Sequence, residues 1–253
     1  MIRPFLSAWC PPILKKWIVR RCKRFNWQGV YQSFQDVPRL GEGYQDENLV
    51  AQIKADVLNR LQSDTPTAHS LLGVLSAAVQ APVKIMDFGG GAGQGYIEFK
   101  KNAKNQNIEY TIVELPKICA IGEELFRDQE KILFTDHIPD SLFDIIYMNS
   151  CLQYIDDWQD LLRNMLKCKP EYFLLERASI GMQKDFITSQ INLNSQVIPY
   201  RFLSKKSVVD FFASVNYHLV FERRDDYFLD MENFPTEYRL EKTCTLIFRA
   251  GEY

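Results

Sequence analysis

The chain has 253 residues, 46% hydrophobic and 25% charged, which suits one large α/β domain or two small ones with a substantial core. Its net charge is -2, but residues 1–24 hold Arg3, Lys15, Lys16, Arg20, Arg21, Lys23 and Arg24 and no acid, so the remainder carries -9 (-2 less +7). That acidic body excludes general nucleic-acid binding, and no apolar run reaches the roughly 18–20 residues that span a bilayer.

The six cysteines (Cys10, Cys22, Cys119, Cys151, Cys168, Cys244) are scattered, without a C-x-x-C pair or histidines at metal spacing. They read as free thiols in a reducing cytoplasm, with no metal site. Residues 1–26 form a basic amphipathic segment: as a helix, Leu14, Trp17, Ile18, Cys22 and Phe25 share one stripe opposite Lys and Arg. Two readings stand, a helix lying in a membrane interface or one docking its stripe on the main domain.

Residues 27–80 read as an N-terminal helical lid. It opens with the aromatic, turn-rich Trp27-Gln28-Gly29-Val30-Tyr31 and Gly41-Glu42-Gly43-Tyr44, followed by helical patterns over about 48–61 and 68–79. From residue 83 the period changes. Strand-like runs at 83–87, 109–113, 132–134, 143–148 and 172–176 alternate with helical patterns at 95–102, 117–126 and 158–166. This alternation predicts a doubly wound, Rossmann-like, mostly parallel seven-stranded sheet over residues 81–253. Strands at 217–222 and 243–249, with no helix between them, predict an antiparallel closing pair.

Five of the twelve glycines fall in Gly89-Gly90-Gly91-Ala92-Gly93-Gln94-Gly95, directly behind the run Val83-Lys84-Ile85-Met86-Asp87-Phe88. A glycine-rich turn between strand and helix lets backbone N–H groups approach a ligand closely. The dinucleotide pattern G-x-G-x-x-G fails in every register: the sixth position is Gln94 or Tyr96, or the third is Ala92. The pattern acid-x-G-x-G-x-G is met by Asp87, Gly89, Gly91 and Gly93.

On these residues the chain resembles the class I S-adenosylmethionine (SAM)-dependent methyltransferases. The resemblance implies that Asp87 and the loop of Gly89, Gly90, Gly91 and Gly93 wrap the amino-acid end of SAM. It places Glu114, ending the second strand, at the ribose, with Leu115 beside it, and Asp136 at the adenine. It also matches Phe143-Asp144-Ile145-Ile146-Tyr147-Met148-Asn149 to the fourth strand, which brings Asn149, Gln153 and Tyr154 near the methyl group. Tyr31 and Tyr44, with Trp27, would close over the cofactor.

A narrower likeness joins Trp27, Gly29, Tyr31, Ser33 and Phe34, then Gly43-Tyr44, then Leu152-Gln153-Tyr154, to a group of bacterial methyltransferase-like proteins often encoded with surface-polysaccharide enzymes. It implies a glycan or glycan-precursor acceptor methylated on oxygen or nitrogen. Gln153 and Tyr154 would contact that acceptor. Of His69, His137 and His218, His137 is the candidate general base, while Arg177 offers a cation for phosphate or carboxylate. Two rival readings stay open: a nucleotide-cofactor enzyme of another class, and a non-catalytic SAM-binding protein.

Overall fold

A computed structural model describes residues 25–63, 71–103, 107–193 and 196–251. The basic segment up to residue 24 and His69 lie outside them. In chain order the elements are β1 (Trp27–Tyr31), α1 (Glu47–Gln62), α2 (Leu71–Ser76), β2 (Val83–Phe88), α3 (Gln94–Asn102), β3 (Ile108–Val113), α4 (Pro116–Leu125), β4 (Ile132–Thr135) and β5 (Ile145–Asn149). They continue with α5 (Trp158–Leu166), β6 (Tyr172–Ala178), β7 (Ile180–Gly181), β8 (Phe186–Leu193), β9 (Gln196–Ser204), α6 (Lys205–Ser214), β10 (Tyr217–Phe228) and β11 (Lys242–Ala250).

Seven strands form one sheet in the order β10-β11-β6-β5-β2-β3-β4. All neighbours run parallel except β11, which is antiparallel to both β6 and β10. The expected seven-stranded, doubly wound sheet is therefore present, with a single inverted strand wedged inside its edge. Parallel strands covered on both faces are buried almost throughout: in β2, β3 and β5 every residue is buried except the exposed Lys84 and Glu109 and the partly buried Phe88 and Asn149 at the strand ends. Residues of alternate parity feed separate cores. Met86, Ile146, Phe173 and Leu175 pack with α5 and α6 on one face; Ile85, Ile112, Ile145 and Leu174 pack with α3, α4 and the helices from residues 47–76 on the other.

Helix α5 shows how sequence sets that placement. Asp157 caps it by accepting from the Asp160 N–H at 3.1 Å, and Trp158, Leu162 and Met165 recur at helical spacing to bury one stripe. Phe212 of α6 stacks on Phe248 of β11 with ring centroids 3.9 Å apart, and both are fully buried. Phe212→Ala should cost about 3–5 kcal/mol in chemical denaturation, the usual range for emptying a buried aromatic site.

The residue 27–80 region is not helical throughout. Trp27–Tyr31 is a strand, and it joins a second sheet of order β1-β8-β9-β7 that the alternation of the main domain gave no reason to expect. Trp27 is buried there against Tyr200 and Phe202 at 5.5 Å. Phe186, Leu229, Met231, Phe234 and Leu240 complete that core. This sheet stands over the carboxyl edge of the main one.

Candidate cofactor site

The carboxyl ends of β2, β3 and β5 meet at one cleft. Strand β2 delivers Asp87, which is 1% exposed. The Tyr110 hydroxyl of β3 donates to its Oδ2 at 2.7 Å. Its other oxygen, Oδ1, is buried without a partner. Burial pushes this carboxyl up to about 7, against the lowering effect of the Tyr110 hydrogen bond.

The following loop bends back over the carboxylate. Gly89 and Gly91 sit at φ +70° and +63°, a left-handed backbone that residues with a Cβ adopt at a cost. At Gly90 the reason is space: a Cβ there would lie 2.5 Å from Asp87 Oδ2. Gly93 caps α3 in a left-handed conformation and lines neither cavity described below.

Glu114 ends β3 on the far side of the loop. Its Oε1 accepts from the Gly91 N–H at 3.2 Å and its Oε2 from the Leu115 N–H at 2.7 Å. Burial raises its pKa, and these two hydrogen bonds pull it back. Two cavities of about 430 and 270 Å³ flank this acid, and Tyr44, Gly89 and Glu114 line both. The larger also has Phe88, Leu115, Asp136, Cys151, Tyr154 and Ile155 on its wall. The smaller has Asp87, Gly90, Gly91, Asn149 and Arg177, with Ile53, Asp56 and Arg60 of α1.

A chain of hydrogen bonds fixes the far wall. Arg177 Nε donates to Asn149 Oδ1 at 2.9 Å, Asn149 Nδ2 to the Tyr147 hydroxyl at 2.7 Å, and Tyr147 to Glu176 Oε2 at 2.6 Å. Ser150 and Arg177 both take left-handed backbone (φ 54° and 49°) just past β5 and at the end of β6. Such residues cost of order 1–3 kcal/mol each and persist where the surroundings over-determine them. Among the described residues Arg177 takes part in no ion pair, and its Nε is held by Asn149.

Tyr44 meets Tyr154 edge-to-face at 5.0 Å, and Tyr154 meets Tyr200 of the second sheet at 5.3 Å. These rings roof the cleft, and burial pushes the Tyr44 hydroxyl up to about 12.

Asp87, Gly89, Gly90, Gly91, Glu114, Leu115, Asp136, Asn149, Tyr44 and Tyr154 are thus brought together. Besides Gly93, three others are placed differently. Tyr31 packs on Phe34, Val37 and Ile187 beneath the second sheet and lines neither cavity. The reason is that β1 is a strand, so its register with β8 and not a lid motion sets where Tyr31 points. His137 is 77% exposed, with Nδ1 3.0 Å from Asp136 Oδ1, and it lines neither cavity. Gln153 is buried behind the wall, donating to Ser150 Oγ at 3.0 Å, with its Oε1 unpartnered. His218 is exposed on β10 opposite Arg249, in keeping with a structural edge position.

The cleft also uses residues that sequence reading passed over. Cys151 stands against Gly89, where a Cβ would come within 2.7 Å of its own, and its thiol is held protonated by burial. Phe88 sat inside the recognised motif and Glu42 beside Tyr44, so both could have been found. Asp56 and Arg60 carried no local signal.

No protein-family model matches the chain, and no curated protein matches it in sequence. Solved structures do match in shape. A chain of the Haloferax volcanii complex containing the Trm112 methyltransferase activator superposes with a TM-score of 0.53 at 14% identity, covering 82% of this chain and 96% of that one. A SAM-dependent methyltransferase from Methanosarcina mazei gives 0.52 at 12% identity, covering 71% and 98%. The [4+2]-cyclase SpnF gives 0.51 at 13% identity, covering 86% and 99%. The chain has the SAM-dependent methyltransferase fold. Within that fold, the cleft at the carboxyl ends of β2, β3 and β5 is where an open α/β sheet presents a ligand. At this level of identity the likeness defines architecture, and the cyclase shows that the methyltransferase fold carries other chemistry as well.

Proposed function

We propose that the chain is a SAM-dependent methyltransferase acting on a small acceptor. The observation that carries this is the pairing of a buried, half-unpartnered carboxylate with a glycine loop and a second acid on the next strand, all lining one cleft. The residues fit the group. Asp87 Oδ1 lacks a partner and suits an ammonium, Glu114 has lone pairs left for ribose hydroxyls, and Leu115, Cys151 and Ile155 offer flat apolar surface beside Asp136 for a base.

SAM supplies an electrophilic methyl on its sulfonium. The protein's part is to hold donor and acceptor in line, which in favourable cases is worth roughly 7–11 kcal/mol. Ser150, Asn149 and Arg177 would orient the acceptor from the carboxyl ends of β5 and β6, while the rings of Tyr44 and Tyr154 exclude water. The acceptor itself we propose to be a glycan or glycan precursor, a reading supported by the family likeness and by the hydrogen-bonding wall with one unpaired cation. Residues 1–25, with seven basic side chains, are proposed to give reversible contact with anionic membranes; equal co-sedimentation with neutral and anionic vesicles would refute that.

The direct test of the cofactor is calorimetry with S-adenosylhomocysteine. Glu114→Ala should weaken binding by about 1.5–3 kcal/mol, the scale of hydrogen bonds to a charged group; unchanged affinity in a folded variant removes Glu114 from the site. Tyr154→Phe should lower turnover with sugar-containing acceptors while leaving that affinity nearly unchanged. The SpnF likeness favours one second reading, a cofactor-dependent enzyme that transfers no methyl. Binding without label transfer from methyl-labelled SAM to any extract would support it.

A further inference from the structure

A third cavity, of about 530 Å³, lies apart from the cleft and shares no lining residue with it. Residues of β7, β10, β11 and the connection between the last two enclose it. Four cations reach its wall, Lys205, Arg224, Arg239 and Lys242, against two acids, Glu222 and Glu241.

Their existing partners decide which are available. Lys205 is paired with both oxygens of Glu222 at 3.0 Å, and Lys242 sits 3.5 Å from Asp226 and over the Phe228 ring. Arg239 spends Nε and Nη2 on the carbonyls of Phe234 and Glu232, leaving Nη1. Arg224 has no hydrogen-bond or ion-pair partner among the described residues. Two guanidinium groups therefore have unused N–H donors on one cavity wall, and guanidinium geometry matches planar or tetrahedral oxyanions.

Gln183 adds a second requirement. It is 6% exposed on the same wall. Its Nε2 donates to the Leu203 carbonyl at 2.8 Å, which fixes the orientation of the amide. Oε1 is thereby left as a buried acceptor without a donor. Gly181 keeps the space beside it, because a Cβ there would lie 2.6 Å from that oxygen. A buried amide oxygen in this position needs a hydroxyl, an ammonium or water.

We propose that this cavity is a second ligand site for a hydroxylated oxyanion, a small phosphorylated or carboxylated polyol, with Arg224 and Arg239 on the anion and Gln183 Oε1 on a hydroxyl. Leu240 lines the cavity and belongs to the aromatic core on which Tyr154 packs, so the site abuts the roof of the cofactor cleft through one packed layer.

The test is titration calorimetry of the full chain with glucose 6-phosphate, gluconate and inorganic phosphate, repeated for Arg224→Glu, Arg224→Gln and Gln183→Met. Saturable binding of glucose 6-phosphate or gluconate is expected. Arg224→Glu should lose it at least tenfold and Arg224→Gln by less. Gln183→Met should erase the advantage of the polyols over inorganic phosphate. Glucose 6-phosphate binding alone assigns a phosphate, and gluconate binding alone a carboxylate. Absence of saturable binding by all three, or equal affinity in wild type and Arg224→Glu, overturns the proposal. S-adenosylhomocysteine affinity in the Arg224 variants should match wild type, so a failed anion site and a failed cofactor assignment are told apart in the same experiment.

Discussion

Gly90→Ala should reduce S-adenosylhomocysteine binding at least a hundredfold, roughly 2.7 kcal/mol or more, in a protein that still folds. The added methyl group would fall 2.5 Å from Oδ2, 2.6 Å from Cγ and 2.9 Å from Oδ1 of Asp87. Asp87 cannot swing aside, because Tyr110 holds it within a fully buried site. The carbon therefore either occupies the path to Oδ1 or pushes the loop away from it. Gly90 is not among the residues with positive φ, so alanine brings no backbone strain and the sheet keeps its core. Gly91→Val would also abolish binding, but at φ +63° it confounds strain with occlusion. Wild-type affinity in Gly90→Ala, measured by calorimetry alongside a circular dichroism melt, would show that no ligand approaches Asp87 from this side.

Asp87→Asn should separate stability from binding. A carboxyl whose folded pKa is about 7 against an ordinary 3.8 favours its protonated form in the fold. Its contribution to stability is fully present below pH 3.8 and is lost as pH rises through about 7. At pH 8 the ionised, buried acid thus weighs against the ligand-free fold, with a ceiling of about 4 kcal/mol for a three-unit shift. Asparagine keeps an acceptor for Tyr110 and removes the charge. The variant should melt higher than wild type at pH 8, lose that advantage towards pH 4, and no longer bind a cationic ligand. In the wild-type protein an ammonium at Oδ1 requires the ionised acid, so affinity should fall about tenfold per pH unit well below 7. A flat pH profile from 5 to 8 would mean that Asp87 does not meet the ligand's charge.

Much of this was legible in the sequence, for identifiable reasons. The main sheet was readable because parallel strands buried on both faces are apolar at most positions, and because the helices between them cover one stripe each, as in Trp158, Leu162 and Met165. Asp87, Gly89, Gly90, Gly91 and Glu114 stood out because they cluster at the ends of two successive strands, and the structure brings them to one cavity. The second sheet was hidden by its composition. In β8, Thr188, Ser189 and Gln190 are all buried, so no alternation of apolar and polar residues marks the strand, and β1 is five residues long with glycine in its middle. Tyr31 and Trp27 were assigned to a lid because aromatic residues near turns look alike whether they pack in a core or cover a cleft. His137 was singled out only as the neighbour of Asp136: Asp136 lines the larger cavity, and His137, in the bend that follows β4, lines neither.

The inverted strand has a bearing on how the molecule is built during synthesis. Strand β11 emerges after every other strand of its sheet, yet it stands between β6 and β10 and is the sole hydrogen-bonded neighbour of β10 within that sheet. As translation proceeds, β2 to β6 can assemble in the order in which they appear. Strand β10 cannot join them, for its place is defined by a segment not yet made. Until β11 arrives, α6 lacks the Phe248 ring that stacks on Phe212, and the edge of β6 is an open template. The nascent chain thus passes through a five-stranded stage with the edge of β6 unpaired, and the strand of this sheet that is made last is the one that seals it. Chains truncated before residue 242 and released from the ribosome should capture strand-forming peptides or chaperones that the full chain does not.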